Sequence, residues 1–228
     1  MEFSPNPDLF QIINKKGQLK QLVYRNTLDS INLIKKVITD LRKEYQKKYS
    51  LDPQAIPFIQ QDRGEFEVHL QFAGDILIFT MHTNVFEFSR YHEVMSTSYI
   101  REDKNRSYCG IINIYNFLAD SYKYNRVNDI GYLIGRVFIN KDKCYFIEGK
   151  REVGLLYNNF GQEILDEKAA RQIVESAIQY TINFDLLTPP YDTLKEISLE
   201  EMQSMADSYK LKTGKRLGFR FQADKAEE

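Results

Sequence analysis

The chain contains no tryptophan, only two cysteines and three histidines, and six prolines among its 228 residues. Each shortage removes a class of explanation. Cys109 and Cys144 supply neither the dense disulfide framework of a small secreted scaffold nor the closely spaced thiolates of a structural zinc site. They are read as reduced thiols of a cytoplasmic protein. No run approaches the ~20 apolar residues of a membrane span, and MEFSPNPDLF has neither the basic nor the apolar region of a signal peptide. A formal charge of −1 gives no overall field to recruit nucleic acid or an anionic membrane. Gly131, Gly135, Gly149 and Gly154 form no dinucleotide or phosphate-loop pattern, and no cofactor is expected.

What remains is the profile of a folded globular chain, 43% hydrophobic and 28% charged, with fifteen tyrosines and fifteen phenylalanines. From Ser30 to Tyr49, Ile31, Ile34, Ile38, Leu41 and Tyr45 recur at spacings of three and four, which predicts an amphipathic helix. Leu9 to Tyr24 reads as a separate helix weakened by Gly17, and Pro53 and Pro57 bar helix further on. Between Glu65 and Phe88, Phe66, Val68, Leu70 and Phe72 alternate with Glu67, His69 and Gln71, the period of a strand with one apolar face. Gly74-Asp75 offers a two-residue turn, which predicts a hairpin with Leu70 opposite Phe79, His69 opposite Thr80 and Glu67 opposite His82.

Beyond the hairpin, Ile111, Ile112, Ile114, Tyr115 and Leu118 fit a buried helix about as well as a strand. YLIGRVFI, CYFIE and VGLLY predict a three-strand antiparallel meander. Asp166 reads as the N-cap of a helix bearing Ala170, Ile173, Val174, Ala177, Ile178 and Ile182 on one face, ended by Thr188-Pro189-Pro190. Ser198 to Glu201 is a capping box for a short last helix. The expected fold class is therefore α+β, an antiparallel sheet of hairpin plus meander packed by N-terminal and C-terminal amphipathic helices. One domain is expected over residues 1–188, with 189–228 as a helical, basic appendage docked on it.

Four constellations carry candidate chemistry. Glu67, His69 and His82 share one hairpin face and have suitable donors for a transition metal, although Ile76 and Ile78 on that face favour apolar cover over an open coordination site. Arg101, Asp103 and Arg106 lie in a polar loop that runs into Cys109, a nucleophile only if a base such as His92 reaches it. Arg136 interrupts an apolar strand; a turn at Lys141-Asp142 sets it opposite Ile147 and aims Glu148 to the other face. Lys210, Lys212, Lys215, Arg216 and Arg220, interleaved with Tyr209, Phe219 and Phe221, have the residue types that hold single-stranded nucleic acid.

With no recognisable catalytic set, the expected function is a non-catalytic, cytoplasmic protein- or peptide-binding module, with a second copy of the chain as a candidate partner. A small metal-dependent hydrolase using the hairpin histidines is the alternative. Nucleic-acid association through the C-terminal basic segment is the second alternative.

Overall fold

In the computed structural model, residues 7–149, 160–184, 188, 190–200 and 202 are described. The longest element is α1 (Pro7–Lys48), a single 42-residue helix. Pro7 stands at its first turn, where a fixed φ and a missing N–H suit a helix start. The two helices expected over Leu9–Tyr24 and from Ser30 to Tyr49 are thus one rod, with Gly17 inside it. A single glycine costs about 1 kcal/mol relative to alanine in a helix interior, too little to break a rod whose later turns are held by tertiary packing. An added Cβ at Gly17 would meet nothing within 4 Å. Gly17→Ala is accordingly expected to stabilise the chain by about 0.5–1 kcal/mol in urea unfolding; a loss of stability would mean that the helix is interrupted there.

Six strands follow in the order β1 (Phe58–Asp62), β2 (Glu67–Phe72), β3 (Asp75–Met81), β5 (Tyr108–Leu118), β6 (Tyr132–Asn140) and β7 (Tyr145–Gly149), all antiparallel. The two-residue β4 (Phe86–Glu87) pairs with the start of β5 past the end of β3. The β2–β3 turn is Ala73-Gly74, with Ala73 at φ 46°, rather than Gly74-Asp75. Leu70 therefore faces Leu77 and Val68 faces Phe79, a register two residues from the expected one. Because side chains alternate with a period of two, the shift leaves every residue on its expected face.

The ambiguous Ile111–Leu118 segment is strand. Its inward residues Ile112 and Ile114 are fully buried, and a bulge between Ile114 and Tyr115 adjusts the pairing with β6. The β6–β7 turn is one residue longer than expected. Asn140 N–H donates to the Cys144 carbonyl at 3.0 Å, and Lys143 adopts φ 60°. An odd shift exchanges faces, so it places Glu148 opposite Arg136. The third expected meander strand, VGLLY, lies outside the described residues.

One face of the sheet carries the core. Val68, Leu70, Leu77, Phe79, Ile112, Ile114, Val137, Ile139 and Ile147 pack there against Ile31, Ile34 and Ile38 of α1 and against Ala170, Ile173, Val174 and Ala177 of α4 (Glu167–Ile182). Asp166 caps α4 as expected, its carboxylate accepting from Ala169 N–H at 2.8 Å. The helix stops at Ile182, ahead of the Thr188-Pro189-Pro190 stop. Helices α1 and α4 are tied on their outer sides by Lys36–Glu167 at 2.6 Å and Arg171–Glu44 at 2.7 Å. The helix approaches β5 closely at Gly110, and Asn26 donates to the Asn140 and Lys141 carbonyls at 3.0 and 2.8 Å.

A smaller cluster of Phe88, Val94, Ile100, Cys109, Phe138, Cys144, Phe146 and Phe160 covers one end of the opposite face. It is roofed by two 3₁₀ turns, Glu93–Ser96 and Lys104–Ser107, and by α2 (Ser98–Glu102). Helix α3 (Ala119–Lys123) folds back beside the other end. The architecture is α+β, with helices layered on an antiparallel sheet. Among the described residues, no helix is long and apolar enough to cross a membrane.

Candidate functional site

The hairpin candidates do not converge. Glu67 Oε1 and His69 Nε2 lie 2.7 Å apart, but Glu67 faces Thr80 rather than His82. His82 is exposed beyond the end of β3, where its Nδ1 accepts from Asn84 N–H at 3.0 Å and its ring meets Phe86 edge-on. The trio expected from the turn at Gly74-Asp75 is therefore a pair. His69 is 5% exposed, and Tyr122 of α3 packs edge-on against its ring at 5.5 Å. Ile76 and Ile78, on the same face, are buried as expected. Among the described residues, no group of three or more His, Cys, Asp or Glu side chains is placed to hold an ion.

Across the same outer face the strand register aligns Glu67, Thr80, Asn113, Arg136 and Glu148 in one row. Arg136 is ion-paired with Glu148, which corrects the expectation that this carboxylate points away. The longer turn is the reason. His92 Nδ1 accepts from Val94 N–H, so its proton sits on Nε2, which is aimed at the other Glu148 oxygen at 2.9 Å. Partial burial pushes the Glu148 carboxyl up, but His92 and Arg136 outweigh it and hold the group below its ordinary range.

A carboxyl whose folded pKa is depressed stabilises the fold above its unfolded pKa and loses that contribution as pH falls through the folded value. The stability advantage of the parent over Glu148→Gln should be constant above about pH 6 and shrink between about pH 5 and 3. Urea midpoints of both proteins across that range are the check. A difference independent of pH would contradict the pairing.

The polar loop is committed to local structure. Arg101 is exposed on α2. Asp103 accepts from Asn105 N–H at 2.9 Å and pairs with Lys141 at 2.6 Å, which keeps its carboxyl acidic. Arg106 reaches Glu102, Asp142 and the Tyr99 carbonyl at 3.1, 3.0 and 2.9 Å, and lies over the Tyr99 ring. These contacts clamp the loop onto the β6–β7 turn.

Cys109 is 1% exposed, and burial pushes its thiol well above the ordinary value, away from the thiolate a nucleophile requires. His92, the suggested base, has both ring nitrogens engaged elsewhere. Cys109 and Cys144 are free. Each pairs with Asn140 from an opposite side of β6. Two strand spacings of about 4.8 Å separate them, beyond the ~7 Å limit for a disulfide. Lys210, Lys212, Lys215, Arg216 and Arg220 lie outside the described residues.

The surface with the strongest claim to a partner is the start of α1. Every residue from Asp8 to Lys16 is exposed, and the first buried position is Val23. At about 1.5 Å per residue, the stretch before Val23 extends roughly 24 Å. On it, Leu9, Phe10, Ile12 and Ile13 are 51%, 57%, 62% and 57% exposed. At about 100° per residue, Leu9, Ile12 and Ile13 fall on the meridian that farther along carries Val23, Ile31, Ile34 and Ile38. The face that builds the core thus continues, unpartnered among the described residues, into this arm.

The arm's path is fixed at Lys16, which hydrogen-bonds Tyr108 Oη and lies 4.4 Å over its ring, while Tyr108 donates to Glu87 at 2.8 Å. These contacts, with burial from Val23 onward, keep the arm a continuation of the rod. Sequence reasoning placed a helix here without recognising the site. The usable signal was the quartet itself, apolar at helical spacing with no opposing strand or helix assigned to it. Comparison with protein-family models, with curated proteins and with solved structures gives no match, so the functional reading rests on this geometry alone.

Proposed function

We infer that the chain is a non-catalytic protein-binding module whose binding element is the N-terminal arm of α1. The observation that supports this is the exposure of Leu9, Phe10, Ile12 and Ile13 at 51–62% on a regular helix. Single exposed apolar residues are ordinary on a protein surface; four contiguous on one helix make a patch of the kind that association buries. Amphipathic helices recognise protein surfaces through anchors at these spacings. The polar groups of the outer face, by contrast, are engaged locally: Glu67 pairs with His69 along β2, and Glu148 is held by both Arg136 and His92.

A photo-crosslinking amino acid at Ile12, expressed in the native host, tests the reading. The same residue at Asn32, exposed on the packed part of α1, is the control. A discrete protein adduct from position 12 and none from position 32 is expected. No adduct from position 12 would remove the basis of the proposal.

A further inference from the structure

We propose that α3 is a latch over His69 that protonation of the imidazole releases. Glu67 Oε1 and His69 Nε2 lie 2.7 Å apart on β2, and an ionised carboxylate only accepts, so the ring proton sits on Nε2. Nδ1 is the lone-pair nitrogen. It is buried and, among the described residues, has no hydrogen-bond partner. An imidazolium would carry its second proton there, as an N–H without an acceptor in a residue only 5% exposed.

Tyr122 of α3 packs edge-on against this ring at 5.5 Å and against Phe117 at 5.9 Å. Helix α3 is the weakest part of the enclosure: it has five residues, too few to persist as an isolated helix, and Tyr122 is itself 43% exposed. Its first residue is anchored, Ala119 N–H donating to the Gly74 carbonyl at 2.8 Å. Lifting about that point parts Tyr122 from His69 and Phe117 and lets water reach Nδ1. Glu67 stays beside the ring whether α3 is down or up, so its attraction for an imidazolium is common to both arrangements, whereas a water acceptor for Nδ1 belongs to the open one. Protonation therefore favours opening.

The surrounding charges leave this sign intact. Arg63 hydrogen-bonds Gln61, which stands opposite His69 on β1, and it stays with the strands as Glu67 does. On α3, Asp120 pairs with Arg126 at 3.9 Å and Lys123 lies over the Tyr124 ring. Beside the ring, β3 presents uncharged Ile78 and Thr80, and Asp62 of β1 is engaged with Lys35 of α1. Release would uncover Ile76 and Ile78, both buried on this face.

Nuclear magnetic resonance of the full chain between about pH 7.5 and about pH 5, the span in which histidines change charge, is the test. Ring ¹⁵N shifts report protonation of His69, and the Overhauser contact between the Phe117 and Tyr122 rings reports closure. The contact should be present at the upper pH and fall by more than half in step with protonation, while the Phe88–Phe138 contact, at 4.9 Å between ring centres, persists. In His69→Gln, whose amide keeps a donor for Glu67 and takes up no proton in this range, the contact should hold at both ends. A contact that survives protonation of His69, or is lost without it, overturns the latch. So does a His69 that stays neutral throughout, a His69→Gln chain that opens like the parent, or loss of both ring contacts together; if His69→Gln does not fold, the parent titration decides alone.

Discussion

Replacing Phe79 with alanine is expected to destabilise the chain by about 3–5 kcal/mol, a large fraction of the 5–15 kcal/mol typical of a folded domain. Phe79 is fully buried on β3, between Val68 of β2 and Ile114 of β5, in the core that α1 covers. Deleting its ring removes apolar area and leaves a cavity among strands held in register by backbone hydrogen bonds, which cannot close around it. Leu70→Ala, also fully buried and facing Leu77, should cost about 2–5 kcal/mol by the same reasoning. Urea unfolding of both variants is the measurement. A parent-like midpoint for either would mean that the hairpin does not turn this face to the helices.

Gly110→Ala should have the next largest effect. An added Cβ would stand 2.0 Å from Thr27 Oγ1, 2.8 Å from its Cβ and 2.9 Å from its Cγ2. Thr27 cannot swing aside freely, because it is fully buried and its hydroxyl donates to the Val23 carbonyl at 2.7 Å. Relief requires α1 to lift from β5, which would also strain the Asn26 bonds to the β6–β7 turn.

Overpacking of this kind costs about 1–3 kcal/mol or more. Gly74→Ala is the control, since nothing lies within 4 Å of its added Cβ, and it should stay within about 0.5 kcal/mol of the parent. Thr27→Ala should return part of the lost stability in the Gly110→Ala background. Equal midpoints for Gly110→Ala and Gly74→Ala would contradict the docking of α1 on β5.

The elements whose periodicity is strong were legible in the sequence. The Ile31–Tyr45 stripe, the hairpin faces and the Asp166 cap all stand where their patterns put them. The hairpin shows why register is harder to read than face. A two-residue error at Ala73-Gly74 moved His82 out of reach of Glu67 and changed no side of any strand. At the β6–β7 turn, the left-handed Lys143 adds one residue, and that single step created the Arg136–Glu148 pair. Neither turn carries Asn-Gly or Asp-Gly, whose φ preferences would have fixed the loop length.

The arm was illegible as a site for a different reason. Helical spacing reports which face is apolar, but only the packed structure reveals that the sheet ends before the helix does. Leu9 and Ile34 have the same pattern and opposite fates, 51% and 0% exposed. Reading Leu9–Tyr24 as a helix separate from the one that begins at Ser30 obscured the continuity that makes the two readable as one face.

The most direct measurement is the yield of the Ile12-type crosslink, with the reactive residue moved to Leu9, in the double variant Ile12→Asp/Ile13→Asp. Both replaced side chains are exposed, so the urea midpoint should stay within about 0.5 kcal/mol of the parent. The adduct should disappear while the fold persists. An adduct that survives at parental yield would place the contact elsewhere, and a large loss of stability would show that the arm serves the fold rather than a partner.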